Sequence, residues 1–454
     1  MVFASLEFLF LFLPLSLAVY FFCPKRFRLS ALFVLSIVFY AYGEPVFVIL
    51  MLAEIVINYF IGRAVGEKRG GRKGKILFIA GVTFDVAMLF IFKYANWLIS
   101  SFSGKSVSWL ALPIGISFYT FQIISYLADV YRGDCKEQRS FVKFGAYISM
   151  FPQLIAGPIV KYREIEDQLD DRTMTFESTA AGLSRFVVGL GKKVLIANAA
   201  GAGYELLTKD GSGSALSTVL GIVFFSFQIY FDFSAYSDMA IGLGKVFGFS
   251  FNENFNYPYE SASVSEFWRR WHISLSTWFR DYVYIPLGGN RKGTVRTVLN
   301  ILIVWTLTGI WHGADVMFLF WGLYYGILIS AEKLFLGRFF EKHRAVGRLF
   351  TLIAVFFGWV LFSCSFGNFI PTFAAIFGAN GLFASSDIYD VVRFLPLLAV
   401  CVIGSTHLPK KLYSKIGENA AVSYASIVLL MAVLFLSTAY IVNDSYNPFL
   451  YFRF

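Results

Sequence analysis

EFWRRWHISLSTWFRDYVYIPLGGNRKG, residues 266–293, runs into the apolar TVRTVLNILIVWTLTG of 294–309 and closes on IWHGAD at 310–315. His272 and His312, two of only four histidines in the chain, bracket this stretch. Place Glu266 to Tyr282 on a helix at about 100° per residue. Trp268, Trp271, Leu275, Trp278 and Tyr282 then share an arc of about 80°. Glu266, Arg269, His272, Ser276 and Arg280 share another of about 120°. One face wants lipid or packed protein, and the other wants water, anions or a polar cavity. Such a helix lies in the membrane interface or dips into the bilayer against protein. Val295 to Gly313 is apolar enough to cross the bilayer, with His312 towards one end. Lipid offers an ionisable side chain no hydrogen bonds, so His312 is either a functional group or a buried histidine satisfied by a neighbouring helix.

The rest of the chain has the same character. Of its 454 residues 57% are hydrophobic, 19% aromatic and only 15% charged, with a mean hydropathy of +0.65. Long apolar runs recur from end to end, which predicts an all-α polytopic membrane protein. The short alternating segments of a β-barrel are absent. A net charge of +10 would suggest nucleic acid in a soluble protein. Here the bases cluster between apolar runs, which points to topology and anionic lipid headgroups, with no nucleic-acid partner. Cys23, Cys135, Cys364 and Cys401 are scattered, with neither CxxC nor metal-ligand spacing, so no disulfide framework, zinc site or other metal is expected.

Glu7 and the lack of a small-residue cleavage site argue against a cleavable signal peptide. Lys25, Arg26 and Arg28 follow the first apolar run, which puts the N-terminus outside and this loop in the cytoplasm. Spans are expected over Val2 to Phe22, Leu29 to Tyr42, Val46 to Ile61, Ile76 to Ser100 and Leu112 to Tyr131. FPQLIAGP, within Phe141 to Val160, predicts a broken or re-entrant segment. Lys161 to Arg172 reads as an exposed loop. The Lys192-Lys193 pair reads as the cytoplasmic end of Phe176 to Ala200. Further spans are expected over Leu216 to Phe247, Val316 to Phe335, Ala345 to Phe366, Val391 to Leu408 and Val422 to Val442. The total is about eleven crossings in one membrane domain, residues 1–454. Asp232 and Asp238, on the Leu216 to Phe247 segment, would each cost about 2.5–3.5 kcal/mol in mid-bilayer. They should therefore face the protein interior or a wet cavity, paired with Tyr, Ser or backbone groups, as helix–helix glue or as functional groups.

No P-loop, GxSxG, HExxH or dinucleotide fingerprint is present. The LGGNRKG turn offers backbone N–H groups beside Arg280, Arg291, Lys292 and Arg296, an arrangement that suits a phosphate or pyrophosphate. The alternative is an ordinary basic membrane edge.

EFWRRWHISLSTWFRDYVYIPLGGNRKG and TGIWHGAD resemble the membrane-bound O-acyltransferase family. They are more closely similar to the bacterial branch that contains alginate O-acetyltransferase and the teichoic-acid D-alanyl transfer protein. FDFSAYSDMAIGLGKVFGF, ENFNYPY, FPQLIAGPI, LPIGISFYTFQ and the terminal FLYFRF extend the match across nearly the whole chain, in the family's order. The resemblance implies a helical bundle around a central tunnel, with the catalytic segment at about 249–314. It implies a multi-pass protein of the bacterial cytoplasmic (inner) membrane. His312 matches the family's catalytic histidine in WHG, and His272 matches its second histidine in WRRWH. The donor implied is acetyl-CoA, a co-substrate and not a bound cofactor. The acceptor implied is an extracytoplasmic, alginate-like polysaccharide or an acetyl-accepting SGNH-type partner protein.

Acyl transfer from a thioester to a hydroxyl needs a base for the hydroxyl proton and donors for the developing oxyanion. A histidine in a low-dielectric bundle stays neutral and able to accept that proton. This gives His312 the role of general base. His272 would polarise the thioester carbonyl, orient the acceptor or simply hold the fold together. Arg269, Ser276, Arg280, Asn290, Arg291, Asp232 and Asp238 are the candidate substrate- and donor-binding residues. His343 and His407 carry no motif. Three other readings remain: D-alanyl transfer from a carrier protein, a proton-coupled transporter, and an inactive scaffold for an acetyltransferase partner.

Overall fold

The computed structural model describes residues 1–104, 107, 111–155, 157–208, 213–416, 419–443 and 449–450, and contains no strand among them. Of the terminal FLYFRF motif only Phe449 and Leu450 are described, and Ala156 of FPQLIAGPI lies outside the described residues. Among the described residues eight helices are long and apolar enough to cross a membrane. We number them α1 (Lys25–Gly43), α2 (Phe47–Glu67), α3 (Arg72–Ser103), α4 (Ala215–Val246), α5 (Gly293–His312), α6 (Val316–Lys342), α7 (Arg344–Ser363) and α8 (Ala420–Asn443). The pair Asp387–Gly404 and Leu408–Ile416, bent by 70°, makes a ninth if it counts as one span.

The difference from about eleven expected crossings lies in particular segments. Val2 to Phe22 yields only a shorter apolar helix, Phe8–Phe22. Leu112 to Tyr131 becomes Ile116–Arg132, in which every residue from Ile116 to Val130 is buried. It is sheathed by α2, α3 and the helices Phe141–Ser149 and Tyr162–Asp170. Apolarity there answers to protein packing, not to lipid. Lys161 to Arg172 is likewise no loop, because Tyr162–Asp170 is a helix that buries Tyr162, Ile165 and Leu169.

By contact the chain forms two compact units, residues 1–186 with 236–252 and residues 187–235 with 253–454. In the first, FPQLIAGP breaks as expected: the helix Phe141–Ser149 ends at Met150 and a short turn, Phe151–Leu154, follows. The N–H freed at Phe151 donates to Ser36 Oγ at 3.1 Å, so the break stays satisfied inside protein. In the second unit α5 and α6 cross at close quarters. A Cβ on Gly309 would lie 2.3 Å from the Phe318 carbonyl oxygen, and one on Gly322 would lie 2.3 Å from that of Trp305. Small residues let the two backbones meet, and that approach fixes the end of α5 where His312 sits.

Candidate active site

Residues 266–282 do not form one helix. Val264–Arg270 and Ile273–Phe279 are separate, followed by a wider turn at Arg280–Tyr284. Between them Trp271 is extended and His272 is left-handed, with φ 44° and ψ 55°. That conformation costs an L-residue roughly 1–2 kcal/mol, so it needs outside support. The ENFNYPY segment supplies it. Ile273 N–H donates to the Asn254 carbonyl at 3.0 Å, and Asn256 N–H to the Arg270 carbonyl at 2.9 Å.

The break corrects the expected wet face. Trp268, Trp271, Leu275 and Trp278 are buried as the helical arc predicted, but His272 is also buried, at 1% exposure. Its ring packs edge-on to Phe233, with centroids 4.6 Å apart, and lies 6.2 Å from the Trp311 ring. Asn254 Oδ1 accepts from Ser274 N–H at 3.2 Å and from Ser274 Oγ at 2.9 Å, which identifies that atom as the amide oxygen. His272 Nδ1, 3.2 Å from the same oxygen, must therefore carry the proton. Nε2 is left with its lone pair, buried and without a hydrogen-bond partner. Burial pushes the imidazole down to about 3, so His272 is neutral at physiological pH.

His312 closes α5, and IWHGAD turns the chain directly into α6. Gly313 is extended, and the Asp315 carboxylate caps the next helix by accepting from Met317 N–H at 2.8 Å. The His312 ring is 6% exposed and meets the faces of Trp321 at 5.0 Å and Phe362 at 5.4 Å, both near perpendicular. It lines an apolar cavity of about 20 Å³ with Phe233, Trp271, Phe449 and Leu450 among the other walls. That is room for about one water-sized group. Phe233 and Trp271, which build the His272 environment, thus also bound the His312 cavity.

Arg269 and Arg280 come together on a second, larger cavity of about 980 Å³, whose lining includes neither histidine. Arg270, Lys333 and Arg344 add further positive charge. Two of its acidic residues are already committed. Glu266 pairs with Arg270 at 2.7 Å, and Glu332 accepts from Val264 and Ser265 N–H at the start of the Val264–Arg270 helix. Glu341 is a third acid in the lining, and Arg280 is itself paired with Asp281 at 2.7 Å, so the five bases leave only a small positive excess there.

The other candidates are placed elsewhere. Ser276 Oγ donates to the Trp268 carbonyl at 3.1 Å, a bond across the helix break. Asn290 and Arg291 are exposed and outside both linings. The N–H groups of Gly288, Gly289 and Arg291 are spent within their own turn, on Ile285, Tyr284 and Gly288 carbonyls, and do not form the expected anion nest. Asp232 and Asp238 do face inward, but their partners are basic. Asp238 pairs with Arg185 at 2.7 Å. Asp232 pairs with Lys193 at 2.8 Å and accepts from Leu450 N–H at 2.7 Å. Lys193, buried, is thus an internal counter-ion and not a topology marker.

Three features escaped the sequence reading: Asn254, Lys193 and the clasp of His407 on Glu260. His407 N–H and Nδ1 both engage the Glu260 carboxylate, and its ring lies tilted against that of Tyr257, with centroids 3.8 Å apart. Asn254 stood in plain view inside ENFNYPY. The Glu260 partner lies 147 residues away, and no local pattern signals it.

Residues 76–371 match the model of the membrane-bound O-acyltransferase family. The chain is 38% identical to the probable alginate O-acetylase AlgI of Pseudomonas putida over the whole of both proteins. It is 43% identical to that of Pseudomonas aeruginosa over 80% of this chain and 72% of the relative. It is also 30% identical to the peptidoglycan O-acetyltransferase of Helicobacter pylori, covering 98% of this chain and 96% of the other. With its recurring apolar helices and this match over most of its length, the chain is a multi-pass membrane enzyme belonging to the membrane-bound O-acyltransferase family.

Proposed function

We propose that this protein transfers an acetyl group from cytoplasmic acetyl-CoA to a hydroxyl of an exported, alginate-like polysaccharide, directly or through an acetyl-accepting partner, from the inner membrane of a bacterium. The observation that carries the reading is the enclosed His312 ring, held at a helix end against an apolar cavity that shares walls with His272. As the acceptor oxygen attacks the thioester carbonyl, His312 takes its proton. The carbon–sulfur bond then breaks, and the imidazolium returns that proton to the leaving thiolate, giving ester and thiol. With Nδ1–H given to Asn254, neutral His272 presents only a lone pair, so it suits orientation of the acceptor hydroxyl better than polarisation of the carbonyl. Arg269 and Arg280 suit the phosphates of the donor. The likeness to alginate and peptidoglycan O-acetylating proteins supports acetyl and a polymer hydroxyl as the pair exchanged.

The test is labelled acetyl transfer in purified membranes. His312→Ala should keep its membrane abundance and lose transfer by at least ~10². Near-normal transfer would remove His312 from the mechanism. Arg269→Gln with Arg280→Gln should raise the KM for acetyl-CoA about ten-fold with unchanged thermal stability. An unchanged KM returns the arginines to the membrane edge. Supplying a D-alanyl-charged carrier protein in place of acetyl-CoA decides between the two donors.

A further inference from the structure

The acetyl-transfer reading leaves one buried polar cluster unused. Glu54 on α2 and Asp85 on α3 are 1% and 0% exposed, within helices apolar enough to span the membrane. They sit at matching depths, ~20 Å from the helix ends joined by residues 68–71. Asn58 Nδ2 ties them together, donating to Asp85 Oδ1 at 2.7 Å and to the Glu54 carbonyl at 3.1 Å. Among the described residues neither carboxylate has an ion-pair partner. Lys93, the base further along α3, pairs with neither of them.

Unsatisfied oxygen is concentrated here. Both Glu54 carboxylate oxygens, Asp85 Oδ2 and Asn58 Oδ1 have no hydrogen-bond partner. The hydroxyls of Tyr40 on α1 and Tyr119 on the buried helix Ile116–Arg132 are unpartnered as well, at 2% and 0% exposure. Glu54, Tyr40 and Asp85 all act electrostatically on the Tyr119 hydroxyl, which places it at the same cluster. Buried oxygens are normally satisfied, and buried negative charge is normally paired. Here acceptors outnumber donors, and no described base is paired with either acid. A divalent ion would call for a third carboxylate or an imidazole, and the described residues hold no such group of three.

We propose that Glu54, Asp85, Asn58, Tyr40 and Tyr119 form a buried site for one monovalent cation, a sodium ion or a proton, inside the first unit. A cation there neutralises one carboxylate and gives the surrounding oxygens a common partner. An ionisable pair at membrane depth with no basic partner is otherwise an unbalanced charge.

The experiment is thermal unfolding of the purified full-length protein in detergent, in sodium chloride and in choline chloride at equal ionic strength, at pH 6 and pH 8.5. Wild type is compared with Glu54→Gln and Asp85→Asn. For a sodium site, sodium raises the wild-type Tm at pH 8.5 by about 2 °C or more, and the increment vanishes in either variant. For a proton site, lowering the pH raises the wild-type Tm relative to the variants whatever the salt. Ion and pH responses that are identical in wild type and variants overturn the proposal. Should both variants fail to fold, dicyclohexylcarbodiimide labelling of wild type gives the answer, because the reagent adds to protonated buried carboxyls. An adduct on Glu54 or Asp85 that sodium suppresses, or that forms more readily at pH 6 than at pH 8.5, supports the site. Labelling of neither residue at either pH overturns it. The readouts are independent of acetyl transfer, so failure here leaves the His312 assignment untouched.

Discussion

The two nitrogens of His272 face different demands, and its pH behaviour follows. The folded ring titrates at about 3, against about 6.5 for an unperturbed imidazole. Above about pH 6.5 both folded and unfolded chains hold it neutral, and it contributes no slope. As the pH falls from about 6.5 towards about 3, only the unfolded chain takes up the proton, so this residue costs the fold stability throughout that window. His272→Asn should flatten the decline. Melting temperatures at pH 7.5, 5.5 and 4.5 check it, and equal slopes in variant and wild type would show that the ring is not sheltered as described. The sequence made the residue visible through WRRWH but misplaced it. A helical arc assumes uniform backbone angles, and the left-handed turn at His272 is set by Asn254, outside the helix. Arg269 and Arg280 kept their exposed positions because they lie on either side of that break, where local helical spacing still holds.

Among elements, the α5–α6 crossing fixes the site most directly. Gly322→Val would drive a side chain into the Trp305 carbonyl, and the helices would have to separate. The expected loss is about 1–3 kcal/mol, the usual range for overpacking, read as a lower Tm. Transfer activity should fall with it, because His312 follows Gly309 by less than one turn. A variant as stable and active as wild type would refute the close crossing. The turn from α5 into α6 was legible in IWHGAD, since glycine after histidine stops one helix and aspartate caps the next. The small-residue contact between Gly309 and Gly322 was not, because single glycines in apolar runs carry no register.

For the whole molecule, hydropathy identified a polytopic helical protein and expected more crossings than the eight or nine helices that are long and apolar enough among the described residues. Segments such as Ile116–Arg132 are apolar because protein surrounds them, and hydropathy does not distinguish that from lipid. Long-range charge pairing was equally hidden. Asp232→Ala should remove the buried ion pair with Lys193, a loss of about 3–5 kcal/mol. The double replacement Lys193→Met with Asp232→Leu should recover most of it, since apolar side chains of similar size often substitute for a buried pair. Thermal melts of both variants check this, and a harmless Asp232→Ala would show that the pair is not buried as described.

The bond from Leu450 N–H to Asp232 also has a temporal meaning. Two walls of the His312 cavity, Phe449 and Leu450, are translated after all eight spanning helices, so a nascent chain can place both histidines in the bilayer well before the chamber around them is complete. A ribosome that stalls short of codon 449 would release a protein with its helices inserted and the imidazole of His312 unshielded on that side. Closure of the His312 cavity therefore waits on Phe449 and Leu450.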